Sequence, residues 1–109
     1  MNYDIHTYWR DSEERGEALK LKEILINNNV QTYSLVEFPV GPHPLPMFEA
    51  HVSAANLPAI EAQLVVNTVN CSILIHEKTN NHMYDHTKGA RWLGTPLQLN
   101  LEFLRSFRG

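Results

Sequence analysis

The chain lacks most of the features that would assign it to a specialised class. Among its 109 residues there is one cysteine, Cys71, so no internal disulfide can form and the thiol is expected to be a buried apolar residue. No run approaches the roughly 18 uninterrupted apolar residues that a membrane helix needs, and the N-terminus has no signal-like pattern. A soluble, cytoplasmic protein without membrane contact is the expectation. Positive charge is sparse too: nine Lys and Arg stand scattered against twelve Asp and Glu, for a formal charge of −3. Without a basic patch there is no electrostatic footprint for nucleic acid. Repeats and low-complexity segments are missing, and 43% hydrophobic with 19% charged residues is ordinary globular composition. One domain over residues 1–109 is expected, large enough for a modest core.

Histidine is the residue in excess. Six occur, against a background of roughly two per hundred. They fall in three polar clusters beside strand-like runs: His6, then His43 and His51, then His76, His82 and His86. Dispersed imidazoles are no purification tag, and imidazole both ligates borderline metals when neutral and exchanges protons near neutral pH. A metal or acid/base site is the leading functional reading.

Residues 3–9 (YDIHTYW) read as a strand, since aromatic and β-branched residues dominate. Behind the acidic pair Glu13 and Glu14, a stripe of Ala18, Leu21 and Leu25 predicts a helix to about Asn29, where three asparagines tolerate left-handed backbone. Residues 32–40 and 47–53 read as strands two and three, joined by Gly41-Pro42-His43-Pro44-Leu45-Pro46, a connection stiffened by proline. Asn56 is positioned to cap a second helix, with Pro58 in its first turn and Leu57, Ile60 and Leu64 as its buried stripe. Residues 71–76 (CSILIH) form the fourth strand. The order βαββαβ predicts an α+β, ferredoxin-like two-layer sandwich with both helices on one face of an antiparallel sheet. A polar loop over residues 80–94 and an apolar C-terminal extension (Leu97, Leu99, Leu101, Phe103, Leu104, Phe107) follow, the latter expected to add an edge strand or grip a second subunit.

Alternation along the strands fixes the faces. Ile5, Phe48, Ala50, Val52, Ile73 and Ile75 suit the helix side. Asp4, His6, Tyr8, Glu49, His51, Ser72, Leu74 and His76 then share the other side, and His6 and His76 converge if strand one lies between strands three and four. A lone strand histidine is more often a solvated polar residue, which is the reading for His51, and loop position favours the same for His82. Trp9 and Trp92 suit packing, although a tryptophan near the site could stack on an aromatic substrate. Tyr8 and Leu74 on a helix-free face, together with the apolar tail, predict a homodimer.

The segments HTYW (His6 to Trp9), GPHPLPMFE (Gly41 to Glu49), LIHEKT (Leu74 to Thr79) and DHTKGARWLGTPLQL (Asp85 to Leu97) resemble, in the same order, the small DOPA 4,5-dioxygenase family of fungi and bacteria. The resemblance implies a ferredoxin-like fold, a non-haem metal site and extradiol opening of a catechol ring with dioxygen. Two departures stand out: Asp4 occupies a position where the family often has histidine, and His76-Glu77-Lys78-Thr79-Asn80 replaces a pattern with proline and glycine.

Under that resemblance His6, His43 and His76 are the expected metal ligands, with Glu49 or Asp4 as carboxylate alternatives. Ferrous iron is the expected metal, and zinc or nickel could replace it. His86 is the expected acid/base, and Arg91, Trp92 and Tyr8 are expected to contact a small aromatic substrate, Arg91 by pairing with its carboxylate. Two other classes stay open: a metal-binding domain that is not an oxygenase, and a non-catalytic dimeric binding domain of the same fold.

Overall fold

The structure is a computed structural model and describes residues 2–106. Its elements are β1 (Asn2–Tyr8), α1 (Ser12–Asn27), β2 (Gln31–Thr32), β3 (Met47–Ser53), α2 (Leu57–Asn67), β4 (Ser72–Glu77), α3 (His82–Asp85), β5 (Ala90–Leu93) and α4 (Leu101–Ser106). The strands form one sheet in the order β2-β3-β1-β4-β5, with every neighbouring pair antiparallel. The first four follow the ferredoxin-like order expected from βαββαβ.

The main core lies between the sheet and helices α1 and α2. Ile5, Phe48, Ala50, Ile73 and Ile75 meet Leu21, Leu25, Ile60 and Leu64, all at most 5% exposed. Asp11 caps α1 by accepting from the Glu14 N–H at 2.8 Å, and the asparagine run ends the helix, with Asn29 at φ 62°. Cys71 and Trp9 are buried in this core. Burial, followed by the hydrogen bond to Glu17, pushes the Cys71 thiol pKa up, so it is inert at neutral pH.

Five expectations need correction. The second strand, expected over residues 32–40, is only Gln31–Thr32; beyond it the chain keeps one bridge, Val36 to Met47. Thr32 pairs with Ala50, so the interval from Thr32 to Val36 holds one more residue than its partner segment from Ala50 to Met47, a bulge that breaks the ladder. Asn56 makes no side-chain cap, because its backbone is already helical (φ −93°, ψ −14°), whereas a capping residue needs extended backbone to reach the next turn.

The polar stretch 80–94 contains α3 and the edge strand β5, hidden in the sequence because a four-residue element is too short for a periodic signal. The apolar tail adds no strand within the described residues: Leu97 and Leu99 pack as irregular chain and Leu101–Ser106 is helical, while Phe107 lies outside the described residues. This tail covers the face expected to be bare. Tyr8 and Leu74 are fully buried beneath Val36, Leu45, Trp92, Leu97 and Leu99 of the same chain, so they give no support to a dimer.

Candidate metal centre

The second face of the sheet carries the histidines. β1 sits centrally, so Asp4 is opposite both His51 and His76, and His6 is opposite both Glu49 and Leu74. His43 arrives from the proline loop, which is held at one end by the Trp9 N–H donating to the Pro46 carbonyl (3.2 Å) and at the other by the Asn100 N–H donating to the Pro42 carbonyl (2.8 Å). His86 follows α3. The four rings form one cluster: centroids lie 4.2 Å apart for His6 and His43, 5.1 Å for His6 and His76, and 4.3 Å for His76 and His86.

The backbone sets how each ring is presented. His76 Nδ1 lies 2.7 Å from the Glu77 carbonyl and His86 Nδ1 lies 2.8 Å from the His82 carbonyl. A carbonyl only accepts, so both Nδ1 atoms carry the proton and a neutral ring offers the Nε2 lone pair to the cluster. His43 Nδ1 is tied to the Tyr8 hydroxyl at 2.7 Å, which again leaves Nε2 for the cluster. His6 Nε2 and His76 Nε2 are 3.1 Å apart, a separation that two nitrogens bound to one first-row ion at about 2.1 Å each would have.

Burial and the neighbouring imidazoles favour the uncharged form of His6, His43 and His86. Burial, then the facing His43, His76 and His86, drives the His6 pKa well below its usual value. Burial followed by His86 and His76 lowers His43 to about 4, and burial is the main cause of the lowering at His86. Neutral imidazole is the form a metal requires. Asp4 is shifted the other way, raised chiefly by burial and then by Glu49. Tyr8, buried beside Glu49, is also raised and stays a phenol.

Ligand atoms within 4.8 Å of one another occur in His6, His43 and His86, and again in Asp4, His6 and His76. His6 is common to both, the expected trio is divided between them, and His86 has ligand geometry as well as the accessibility of an acid/base. A cavity of about 330 Å³ opens over the cluster, lined among others by Asp4, His6, His43, His76 and His86. A wider cleft of about 680 Å³, bounded by Pro44, Trp92, Leu97 and Leu99, also reaches His86.

The other expected residues are placed differently. Arg91 lies opposite Ile75, whose side chain faces the helices, and ion-pairs with Glu61 of α2, so it does not meet the histidines. Tyr8 is sealed in the interior and holds His43 rather than facing a cavity. Trp92 lines the wider cleft, 5.8 Å from the Tyr8 ring. Of the two histidines read as solvated, His51 contacts Asp4 and Glu49, and His82 stands at the cavity wall.

Sequence reasoning missed Asp85 and Lys78. Asp85 is 2% exposed and accepts from the Thr79 N–H (2.9 Å) and hydroxyl (2.6 Å), locking the strand exit to α3. Lys78 lines the cavity. An isolated charged residue in a polar loop gives no sequence signal for either role.

The sequence pattern of the Dopa 4,5-dioxygenase family matches residues 3–103. The chain belongs to that family. A crystal structure of a candidate dioxygenase from Nostoc punctiforme superposes with a TM-score of 0.90 at 31% identity, covering 95% of this chain and 90% of that one. An uncharacterised 21.2 kDa protein of Botryotinia fuckeliana is 29% identical over 97% of this chain, and a DOPA 4,5-dioxygenase of Amanita muscaria is 25% identical over 92%. The chain spans 64% and 47% of the length of these two relatives. No helix among the described residues is long and apolar enough to cross a membrane.

Proposed function

We propose that this member of the family is a non-haem ferrous extradiol dioxygenase that opens a DOPA-like or related dihydroxyphenyl acid with dioxygen. The observation that carries the proposal is the His6 and His76 pair, with Nε2 atoms 3.1 Å apart on the floor of a cavity and Asp4 beside them. Two imidazoles and a carboxylate are the donor set of non-haem ferrous oxygenases, and a bound ferrous ion supplies neighbouring open positions for a catecholate and dioxygen. His6, His76 and Asp4 would hold the ion, and His43 is the further nitrogen within reach of His6.

His86 handles protons. It is the most accessible of the four rings and lines both the cavity and the cleft, and a lowered pKa leaves its Nε2 free to accept a catechol proton at neutral pH. Trp92 and Leu99 offer an apolar wall to an aromatic ring. With Arg91 engaged elsewhere, Lys78 at the cavity wall is the cation that pairs with a substrate carboxylate.

Oxygen uptake after anaerobic iron loading, measured across a catechol panel, tests the reading. The expected result is uptake coupled to a yellow ring-opened product, lost in His6→Gln and His76→Gln. Iron bound at full occupancy with no uptake on any catechol refutes it in favour of a metal-binding domain that is not an oxygenase, and zinc or nickel in protein purified without added metal points the same way. His43→Gln compared with Asp4→Asn, each assayed for iron content, identifies the third ligand.

A dimer remains part of the proposal, supported by the exposed side chains of Phe38 and Val40 on the proline-loop approach and of Phe103, which packs near Gly41. Sedimentation as a strict monomer at micromolar concentration refutes it.

A further inference from the structure

We infer that a second divalent-cation site, formed by Asp4, Glu49 and His51, adjoins the histidine cluster and takes a first-row ion such as zinc or manganese. The three side chains project from adjacent positions of β1 and β3, with Asp4 directly opposite His51 and Glu49 two residues along the same strand. Their donor atoms lie within 4.8 Å of one another.

The proton count is what points to a cation. His51 Nε2 contacts both Glu49 Oε2 and Asp4 Oδ1, the latter at 3.1 Å, while its Nδ1 lies 3.1 Å from the Tyr33 hydroxyl. Nε2 can carry at most one proton, and the closer of its two carboxylate contacts is Glu49. Asp4 Oδ1 receives no hydrogen bond although Asp4 is only 8% exposed. A buried carboxylate oxygen without a donor costs on the order of 1–3 kcal/mol, more when charged, and an ion replacing the single proton would satisfy all three acceptors together.

The donors also define the class of ion. Two carboxylates supply charge to match a divalent cation, and the imidazole disfavours calcium and magnesium, which prefer oxygen. Glu49 and His51 are partly exposed, so the ion has a route from solvent and room to keep water ligands. Asp4 stands between the two clusters, with Oδ1 beside His51 and Oδ2 3.8 Å from His76 Nε2. Carboxylates that turn one oxygen to each of two ions are a device of paired-metal sites.

Calorimetric titration of the chelator-stripped chain with zinc alone tests the inference. Two equivalents are expected in the unaltered chain, and one in both His51→Gln and Glu49→Gln, while His76→Gln keeps the second-site equivalent. Manganese loading adds a readout that needs no variant: an exchange-coupled spectrum from two neighbouring ions. One zinc equivalent in the unaltered chain that both His51→Gln and Glu49→Gln keep, two retained in both of those variants, or an uncoupled spectrum with two manganese ions bound each overturns it. Circular dichroism melting identifies a variant that fails to fold, in which case the other variant and the manganese spectrum decide.

Discussion

Replacing Tyr8 by Phe removes one oxygen and nothing else from the interior. Tyr8 is fully buried, its hydroxyl lies 2.7 Å from His43 Nδ1, and His43 itself is 8% exposed. Loss of the hydroxyl takes the partner from a buried ring nitrogen, at a cost of about 1–3 kcal/mol. For a domain near this size each kcal/mol moves the melting temperature by about 4–8 °C, which puts the expected fall on the order of 5–20 °C. The aromatic packing against Trp92 survives the change, so the loss is assigned to the hydrogen bond. The same substitution frees the His43 ring to turn, and loss of such an orienting partner typically lowers metal affinity or activity about 10–100-fold. Differential scanning calorimetry of the metal-free protein, paired with oxygen uptake of the iron-loaded protein, measures both effects. A melting temperature within about 2 °C of the unaltered chain, with undiminished turnover, refutes the assignment of Tyr8 as the support of His43.

Three further perturbations follow from the geometry. The metal-free protein loses stability as pH falls from about 6.5 toward 4: His6, His43 and His86 have folded pKa values below the unfolded one, so the unfolded chain binds more protons in that window. Thermal melts between pH 8 and 4 should be flat above 6.5 and fall below it, and a flat profile throughout contradicts the neutral cluster. Gly94→Ala should destabilise by at least about 1–2 kcal/mol, since Gly94 has φ +74° and an added Cβ would stand 2.7 Å from the Cys71 carbonyl oxygen; an unchanged urea midpoint refutes this. Arg91→Ala should leave KM for an acidic catechol unchanged and cost less than about 1 kcal/mol, because its partly exposed partner is Glu61 on the helix side; a KM rise of about tenfold or more would return Arg91 to the site.

What could be read from sequence depended on periodicity. The period-2 alternation of Ile5, Phe48, Ala50, Ile73 and Ile75 was enough to place His6, His76, Glu49 and Asp4 on one face, and the structure brings them together there. The helix stripes of Ala18, Leu21, Leu25 and of Leu57, Ile60, Leu64 were equally clear. Elements too short for a period were hidden, which is why α3 and β5 read as loop. Arg91 was misplaced for the same reason: without β5 its face could not be assigned, and its pairing with Glu61 depends on tertiary contact. His51 looked like a solvated strand residue because its sequence position says nothing of the Asp4 carboxylate one strand away. The cover that Leu97 and Leu99 place over Tyr8 and Leu74 is likewise a property of the folded chain, and it removes the exposed surface that alternation alone had suggested.

The central claim is that His6 and its neighbours hold one catalytic ion. An anomalous-difference map at the iron edge, from crystals grown and loaded with ferrous iron without oxygen, tests it most directly. The account predicts a peak about 2.1 Å from His6 Nε2 and shared with His76 Nε2. Iron-saturated crystals with no peak at His6, or a peak that persists unmoved in His6→Gln, would contradict it.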